Sequence, residues 1–400
     1  MNIRTIDDLN DVLGKRVLIR CDFNVQIVDG KIMDAFRIEQ SLPTIRRMID
    51  AGAKVAIVSH FGRPKGERSA EFSLAPIARE LESQLGRPVL FVGDCLNREF
   101  LADMKDGDVA VLENLRFHSG EESNDFEFAK SLAIGFECYV NDAFATSHRA
   151  HASIDAITKF LPSYGGLLLA SEISALSALL ENPKRPLVGI ISSSKVKSKV
   201  GVIKAMAKLC DRVILGGGIG TGFHAALGAT NIVQEEANIE RIAGDDEIKN
   251  FIIETMKEYG DKIVLPVSKG CAPVWEPNAS RVDKKIGDIL PGDIVMDEGP
   301  ESVEEYKRVI AGAKTVVWNG TVGMAEWIPT WSVGTFALAR FIAEKTSAGE
   351  LESVIGGGDT VAALEYTNTK DKMTYVSTGG GAFLEFLEGR EWPGIKALGK

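Results

Sequence analysis

Residues 353–366 read SVIGGGDTVAALEY: a short β-branched run, three glycines, then apolar positions at helical spacing. The same order returns in RVILGGGIGTGFHAAL (212–227) and in MTYVSTGGGAFLEFLEG (373–389). Glycine permits positive φ and close backbone approach, and the helix that follows offers unpaired N–H groups and a positive dipole end. A strand that hands over to a helix through such a turn belongs in a parallel sheet, with an anion receptor at its carboxyl edge. Three such turns in one half of a chain point to the phosphates of a nucleotide.

Working outward, the runs PLVGIIS, DRVILGG, KIVLPV and TVVWNG alternate with helical patterns from about residue 187. The first 165 residues alternate in the same way. Their strand-like runs are RVLIRCDFNV, KVAIVSH, PVLFVG, VAVLENLRF and CYVNDAF; FRIEQSLPTIRRMIDAG, LAPIARELESQLG and NDFEFAKSLAIG carry the helical spacing between them. Ser73 is the expected N-cap of the second helix and Gly86 its stop. Strands buried on both faces read as near-continuous apolar runs, as these do. The expected fold is therefore α/β, with two doubly wound, Rossmann-like parallel-sheet domains. The helical stretch LLLASEISALSALLENPKRP (167–186) joins them, stiffer than a Gly/Ser linker and so suited to a hinge. The expected bounds are 1–168, a connecting helix at 169–185, and a second domain at 186–378.

The first half lacks glycine triplets and ends its strands in basic residues instead. His60 and Arg63 close VAIVSHFGRP, Arg116 closes VAVLENLRF, Arg149 follows CYVNDAF, and Arg37 opens the first helix. With Asp22 and Asn24 they fall at the carboxyl ends of the strands, where a small phosphorylated acid would meet planar guanidinium forks. These cations stand against a net charge of −10, which disfavours nucleic acid or an anionic membrane as partner. The N-terminus carries acids and lacks an apolar h-region. Five scattered cysteines without C-x-x-C spacing suit a reducing compartment. The expectation is a cytoplasmic protein.

Several sites have two readings. Asp359 and Thr360 open a helix and are candidates for N-capping and for holding a Mg²⁺ on nucleotide phosphates. Lys195 and Lys199 in SSSKVKSKV are solvated helix lysines or cations that neutralise a moving phosphoryl group. His148 and His151 lie three apart but lack a third ligand, so hydrogen bonding is the expected role. The chain contains no G-x-x-x-x-G-K-[ST] motif. A loose dinucleotide fingerprint at Gly220, Gly222 and Ala225, with Glu240 as ribose ligand, keeps an NAD-dependent dehydrogenase open as an alternative.

Taken together, DFNV with Arg37, SHFGRP, LENLRF, HRAHAS, WNG, GGGDTVAA and STGGGAFLEFLEG resemble the phosphoglycerate kinases, in that family's order from Asp22 to Gly389. The resemblance implies Mg²⁺-dependent phosphoryl transfer between ATP and 3-phosphoglycerate, giving ADP and 1,3-bisphosphoglycerate, by a monomer that hinges. It places the triose on Asp22, Phe23, Asn24, Arg37, His60, Phe61, Gly62, Arg63, Arg116 and Arg149. The nucleotide falls on Lys195, Lys199, Gly217, Gly218, Glu326, Gly356, Gly357, Gly358, Asp359 and Thr360, with Asp359 at the metal. Arg37, Lys195, Lys199, Gly357 and Gly380 would serve catalysis, with Gly379–Gly381 facing the transferring group. Residues 379–400 would return to the first domain. Two departures stand out: Ser192, Ser193 and Ser194 precede Lys195 where the family usually has two glycines and then alanine or serine, and Thr321 replaces a proline. The first motivates a second alternative, a relative that binds both ligands without turnover.

Overall fold

In the computed structural model, residues 3–9, 11–28, 30–228 and 245–399 are described. Two compact units emerge: residues 1–177 together with 390–400, and residues 178–389.

The first unit is built on a six-stranded parallel sheet. Its strands are β1 (Arg16–Arg20), β4 (Lys54–Val58), β5 (Val89–Val92), β6 (Val109–Leu112), β7 (Cys138–Asn141) and β8 (Ser163–Gly165), in the order β5-β6-β4-β1-β7-β8. A side-chain period of two divides the apolar runs between two cores. Val17, Ile19, Val55, Ile57, Val109, Val111 and Val140 enter one, while Leu18, Ala56, Val58, Ala110, Leu112 and Tyr139 enter the other. Burial on both faces explains why these strands read as continuous apolar runs. Helix α1 (Phe36–Asp50) carries Arg37 as its second residue, and α2 (Ala75–Leu85) ends at Gly86 with φ 66°. The N-cap of α2 is Leu74, one residue beyond the expected Ser73; the Ser73 hydroxyl still accepts from the Ala75 amide at 3.2 Å. A two-residue hairpin, β2 (Ile27–Val28) with β3 (Lys31–Ile32), completes this unit's strands.

The second unit holds β9 (Leu187–Ser192), β10 (Arg212–Gly216), β11 (Ile263–Val264), β15 (Thr315–Asn319), β16 (Glu352–Gly356) and β17 (Tyr375–Val376). They pair in parallel in the order β11-β10-β9-β15-β16-β17. The order reverses between β9 and β15, which is where open sheets of this type bind ligands. A three-stranded antiparallel sheet of β12 (Ser268–Ala272), β13 (Val282–Lys285) and β14 (Ile294–Glu298), with β12 in the centre, lies outside the expected alternation.

Two expected bounds shift. The connecting helix runs Leu167–Glu181 and spans the boundary between the units at 177/178. Residues 379–389, including the helix Gly381–Leu387, belong to the second unit, so the segment returning to the first begins at Arg390. It is anchored there by Trp392, whose ring lies 4.9 Å from Phe144 and 5.6 Å from His148, and by a bridge between Ile3 and Gly399. Among the described residues no helix is long and apolar enough to cross a membrane.

Candidate functional site

At the carboxyl edge of the first sheet, Arg37 donates to Asp22 across 2.9 Å. Burial alone would raise the Asp22 carboxyl, but the guanidiniums of Arg37 and Arg20 outweigh it and hold it well below the usual carboxylate range. Beneath this pair lies a residue that sequence reading missed. Arg20 is fully buried at the end of β1 and reaches His60 Nδ1 at 3.2 Å and the Ser153 hydroxyl at 2.9 Å. Ser153 in turn donates to the fully buried Glu121 at 2.6 Å. A guanidinium only donates, so His60 Nδ1 accepts and the ring proton sits on Nε2. Burial, helped by Arg20, Arg116 and Arg37, keeps His60 neutral against the pull of Asp22.

Arg116 is buried, donates to the Gly62 carbonyl at 2.7 Å and lies 3.1 Å from Glu122. Arg149 is exposed, yet its charge is felt at Arg116 and at His151, which burial together with Arg20, Arg116 and Arg149 lowers to about 3. Arg37, Asp22, His60, Arg116 and Arg149 are thus brought together; Arg63 lies exposed on the turn after β4. The Asn24 carboxamide accepts from the Gly62 amide at 3.0 Å, tying two expected ligand turns to each other. Phe23 and Phe61 belong to the core. The Phe23 amide bonds Ser59, and both main-chain groups of Phe61 bond Asn114, so these two position their neighbours and keep their rings from a ligand. His148 and His151 follow a short 3-10 turn, Phe144–Thr146, instead of sharing a helix face, and His148 accepts from Arg149 at 3.0 Å.

In the second unit a cavity of about 550 Å³ opens at the β9/β15 switch point. Its wall carries the first residues of four helices: Lys199 before Val200–Leu209, Gly217 and Gly218, Gly358 and Asp359, and Gly380 and Gly381. Four positive dipole ends around one space make a receptor for several phosphates. Gly357 shows why glycine is needed: its φ is 98°, and a Cβ there would lie 2.9 Å from Asn319 Nδ2. Thr360 accepts from the Gly320 amide at 2.8 Å. Glu326 and Asp359 line the cavity as exposed carboxylates. Asp359 does not cap its helix, whose N-cap is Gly357 without a side-chain bond, so the capping role expected for that residue is not the one it plays. Gly356 ends β16 just outside the wall.

The two lysines part company. Lys199 lines the cavity half-buried; burial lowers its pKa, while Glu385 and Glu388 raise it. Lys195 is exposed and outside the lining. The Ser192 hydroxyl donates to the Thr321 carbonyl at 2.7 Å, so the two positions that depart from the family pattern touch. The Ser193 hydroxyl accepts from the Lys195 amide at 3.2 Å.

The cavity floor holds a second group that the sequence did not announce. Lys269 and Glu298 are both fully buried and pair at 2.7 Å. Glu298 accepts from the Gly217 amide at 2.9 Å and Lys269 donates to the Gly217 carbonyl at 3.2 Å, fixing that turn from below. The Gly217 amide is therefore committed to protein. Beside them Asp297 accepts from Arg281 at 2.7 Å and from the Gly334 amide at 3.0 Å, and burial lifts it to about 6. Glu240 lies outside the described residues.

A phosphate receptor made of helix ends on one open sheet and an arginine cluster on the other mark a phosphotransferase outside the P-loop class. The family model described as phosphoglycerate kinase matches residues 6–390. A Rhizobium meliloti phosphoglycerate kinase is 43% identical over 404 residues, covering 100% of this chain and 99% of its own; one from Agrobacterium fabrum is 44% identical over 400 residues, covering 99% and 98%. The solved phosphoglycerate kinase of Coxiella burnetii aligns with a TM-score of 0.82 at 38% identity over 99% of each chain. That of Pyrococcus horikoshii gives 0.87 at 29%, over 99% of this chain and 98% of its own. The chain belongs to the phosphoglycerate kinase family. That membership does not favour the dehydrogenase or the non-catalytic alternative.

Proposed function

We propose that this chain moves a phosphoryl group between ATP and the carboxylate of 3-phosphoglycerate, with Mg²⁺, giving ADP and 1,3-bisphosphoglycerate. The observation that carries the reading is the cavity at the β9/β15 switch point, ringed by helix N-termini and Lys199. The nucleotide's phosphates sit against Gly357, Gly358 and Gly380, Gly218 forms part of the wall on its adenine side, and Glu326 lines the same cavity. The exposed Asp359 carboxylate suits Mg²⁺, which takes one or two carboxylates plus phosphate oxygens. Bound there, the ion supplies charge neutralisation on those phosphates.

The triose lies on Arg37, Arg116, Arg149, Asn24 and His60, whose Nε2 proton is free to be donated. Arg63, exposed on the turn after β4, completes the proposed set. The acceptor carboxylate, with a pKa of about 4, is ionised near neutral pH, so no general base is required. Catalysis is positioning and charge, supplied by Arg37, Lys199 and the helix amides. Lys195 takes a lesser part, because it stands outside the cavity wall. The receptors belong to different units, so hinge closure must unite the ligands and exclude water. A cytoplasmic monomer is the accompanying expectation, and all five cysteines are free thiols.

A coupled assay that follows ADP formation with ATP and 3-phosphoglycerate, with and without Mg²⁺, tests this. Turnover that requires all three components supports it; ATP consumption indifferent to 3-phosphoglycerate would overturn it.

A further inference from the structure

Asp94, Cys95 and His118 converge on the loops after β5 and β6 of the first sheet, and none of the three is among the residues proposed to receive the triose. One ligand-type atom from each, a carboxylate oxygen, the Sγ and an imidazole nitrogen, lies within 4.8 Å of the other two. The fold brings them together directly. Asp94 and Cys95 sit on the loop after β5, His118 follows the turn Leu115–Phe117 after β6, and β5 and β6 are neighbours with Val92 opposite Leu112. The three border a cavity of about 250 Å³. We propose that Asp94, Cys95 and His118 form a Zn²⁺ site distinct from the nucleotide's Mg²⁺, with water in the fourth position.

The ligand chemistry selects the ion. A thiolate, an imidazole and a carboxylate suit a borderline-soft tetrahedral cation, whereas Mg²⁺ and Ca²⁺ take all-oxygen sets. The site is also pre-organised by groups behind the ligands, as working metal sites are. Asp94 Oδ1 accepts from the Leu96 amide at 2.8 Å and stands 3.3 Å from His118 Nε2. The Cys95 carbonyl accepts from Arg98 at 2.8 Å, and the His118 ring packs 5.3 Å from Phe128. Glu113 borders the cavity but is engaged by Ser73 and by the Leu74 and Asn114 amides, so it is not a fourth ligand. Arg68 also borders it, bonded to the Gly93 carbonyl. Thiolate and carboxylate cancel the 2+ charge, so the occupied site is neutral beside that guanidinium. On binding, the Cys95 S–H bond is replaced by S–Zn and its proton passes to solvent; no electron moves. The ion would clamp the β5 loop to the segment that carries Arg116.

The test is a Co²⁺ titration of the chelator-treated full chain under reductant, with Zn²⁺ added afterwards. The expected result is one equivalent of Co²⁺ with a sulfur-to-cobalt charge-transfer band and tetrahedral d–d bands, displaced by Zn²⁺. Cys95→Ser should abolish the charge-transfer band, and His118→Ala should weaken Zn²⁺ binding by at least about tenfold. His118 is partly exposed, so its variant answers the question even if Cys95→Ser fails to fold. Kinase turnover in both variants checks the fold. Absence of the charge-transfer band in the parent chain, its survival in a folded Cys95→Ser protein, or unchanged Zn²⁺ affinity in His118→Ala would each overturn the proposal.

Discussion

Arg20 Nη2 donates to His60 Nδ1 across 3.2 Å inside the first sheet, where both side chains are buried. The bond fixes the imidazole tautomer under the proposed triose receptor, and through Ser153 it ties those residues to the buried carboxyl of Glu121, which burial pushes up. Removing one member of a buried charged network leaves the others uncompensated. Arg20→Met should therefore destabilise the chain by about 3–5 kcal/mol in urea unfolding. A loss below about 1 kcal/mol, the scale of an exposed pair, would contradict the role given to Arg20.

The Lys269–Glu298 pair offers a parallel case with a built-in control. Lys269→Met alone strands Glu298 and should cost about 3–5 kcal/mol, whereas Lys269→Met with Glu298→Gln should recover most of it. Both should weaken ATP binding measured by calorimetry, because the Gly217 turn loses its support from below. Equal stability of the single and double variants would show that the pair is not coupled.

Much of this was legible in the sequence, and the reasons for the gaps are physical. The parallel strands and the glycine turns declare themselves because burial on both faces demands apolar runs and tight turns demand glycine. The antiparallel β12–β14 sheet did not, since Val282–Lys285 is mostly exposed and polar, and Ser268–Ala272 carries the buried Lys269. A buried ion pair has no periodicity. Arg20 does leave a signal, a charge that closes RVLIR on a strand covered on both faces. The different positions of Lys195 and Lys199 could not be read from two lysines four residues apart. Nor could the contact between Ser192 and Thr321, 129 residues apart, be anticipated.

Asp142 predicts a pH dependence. Burial lifts its carboxyl to about 6, against hydrogen bonds from Thr44 and from the Leu168 and Leu169 amides. An unfolded aspartate titrates near 4, so the folded state holds more protons between these values. Stability from this group is present below about pH 4 and is lost as pH rises towards about 6. Asp142→Asn removes that loss: relative to the parent chain it should gain up to about 3 kcal/mol between pH 4 and pH 7. Parallel unfolding curves at several pH values check this, and a pH-independent difference would contradict it.

Gly357 and Gly358 should respond differently to alanine. At Gly357 the positive φ and the 2.9 Å approach to Asn319 make Gly357→Ala cost about 1–3 kcal/mol of stability as well as nucleotide affinity. At Gly358 a Cβ meets nothing within 4 Å. Gly358→Ala should leave the unfolding midpoint nearly unchanged, so any loss of ATP affinity there reports close approach of a phosphate to the backbone. Equal thermal shifts in the two variants would contradict the assignment of strain.

The idea beneath the mechanism is direct, in-line transfer between two bound anions, without a protein intermediate. It is tested most directly by mixing γ-labelled ATP, Mg²⁺ and 3-phosphoglycerate with stoichiometric enzyme and quenching within a turnover. The account predicts label only in ATP and in an acid-labile acyl phosphate of the triose, and Arg37→Ala should slow its appearance by about 10²-fold or more. Label bound covalently to the protein, or released only as inorganic phosphate, would contradict it.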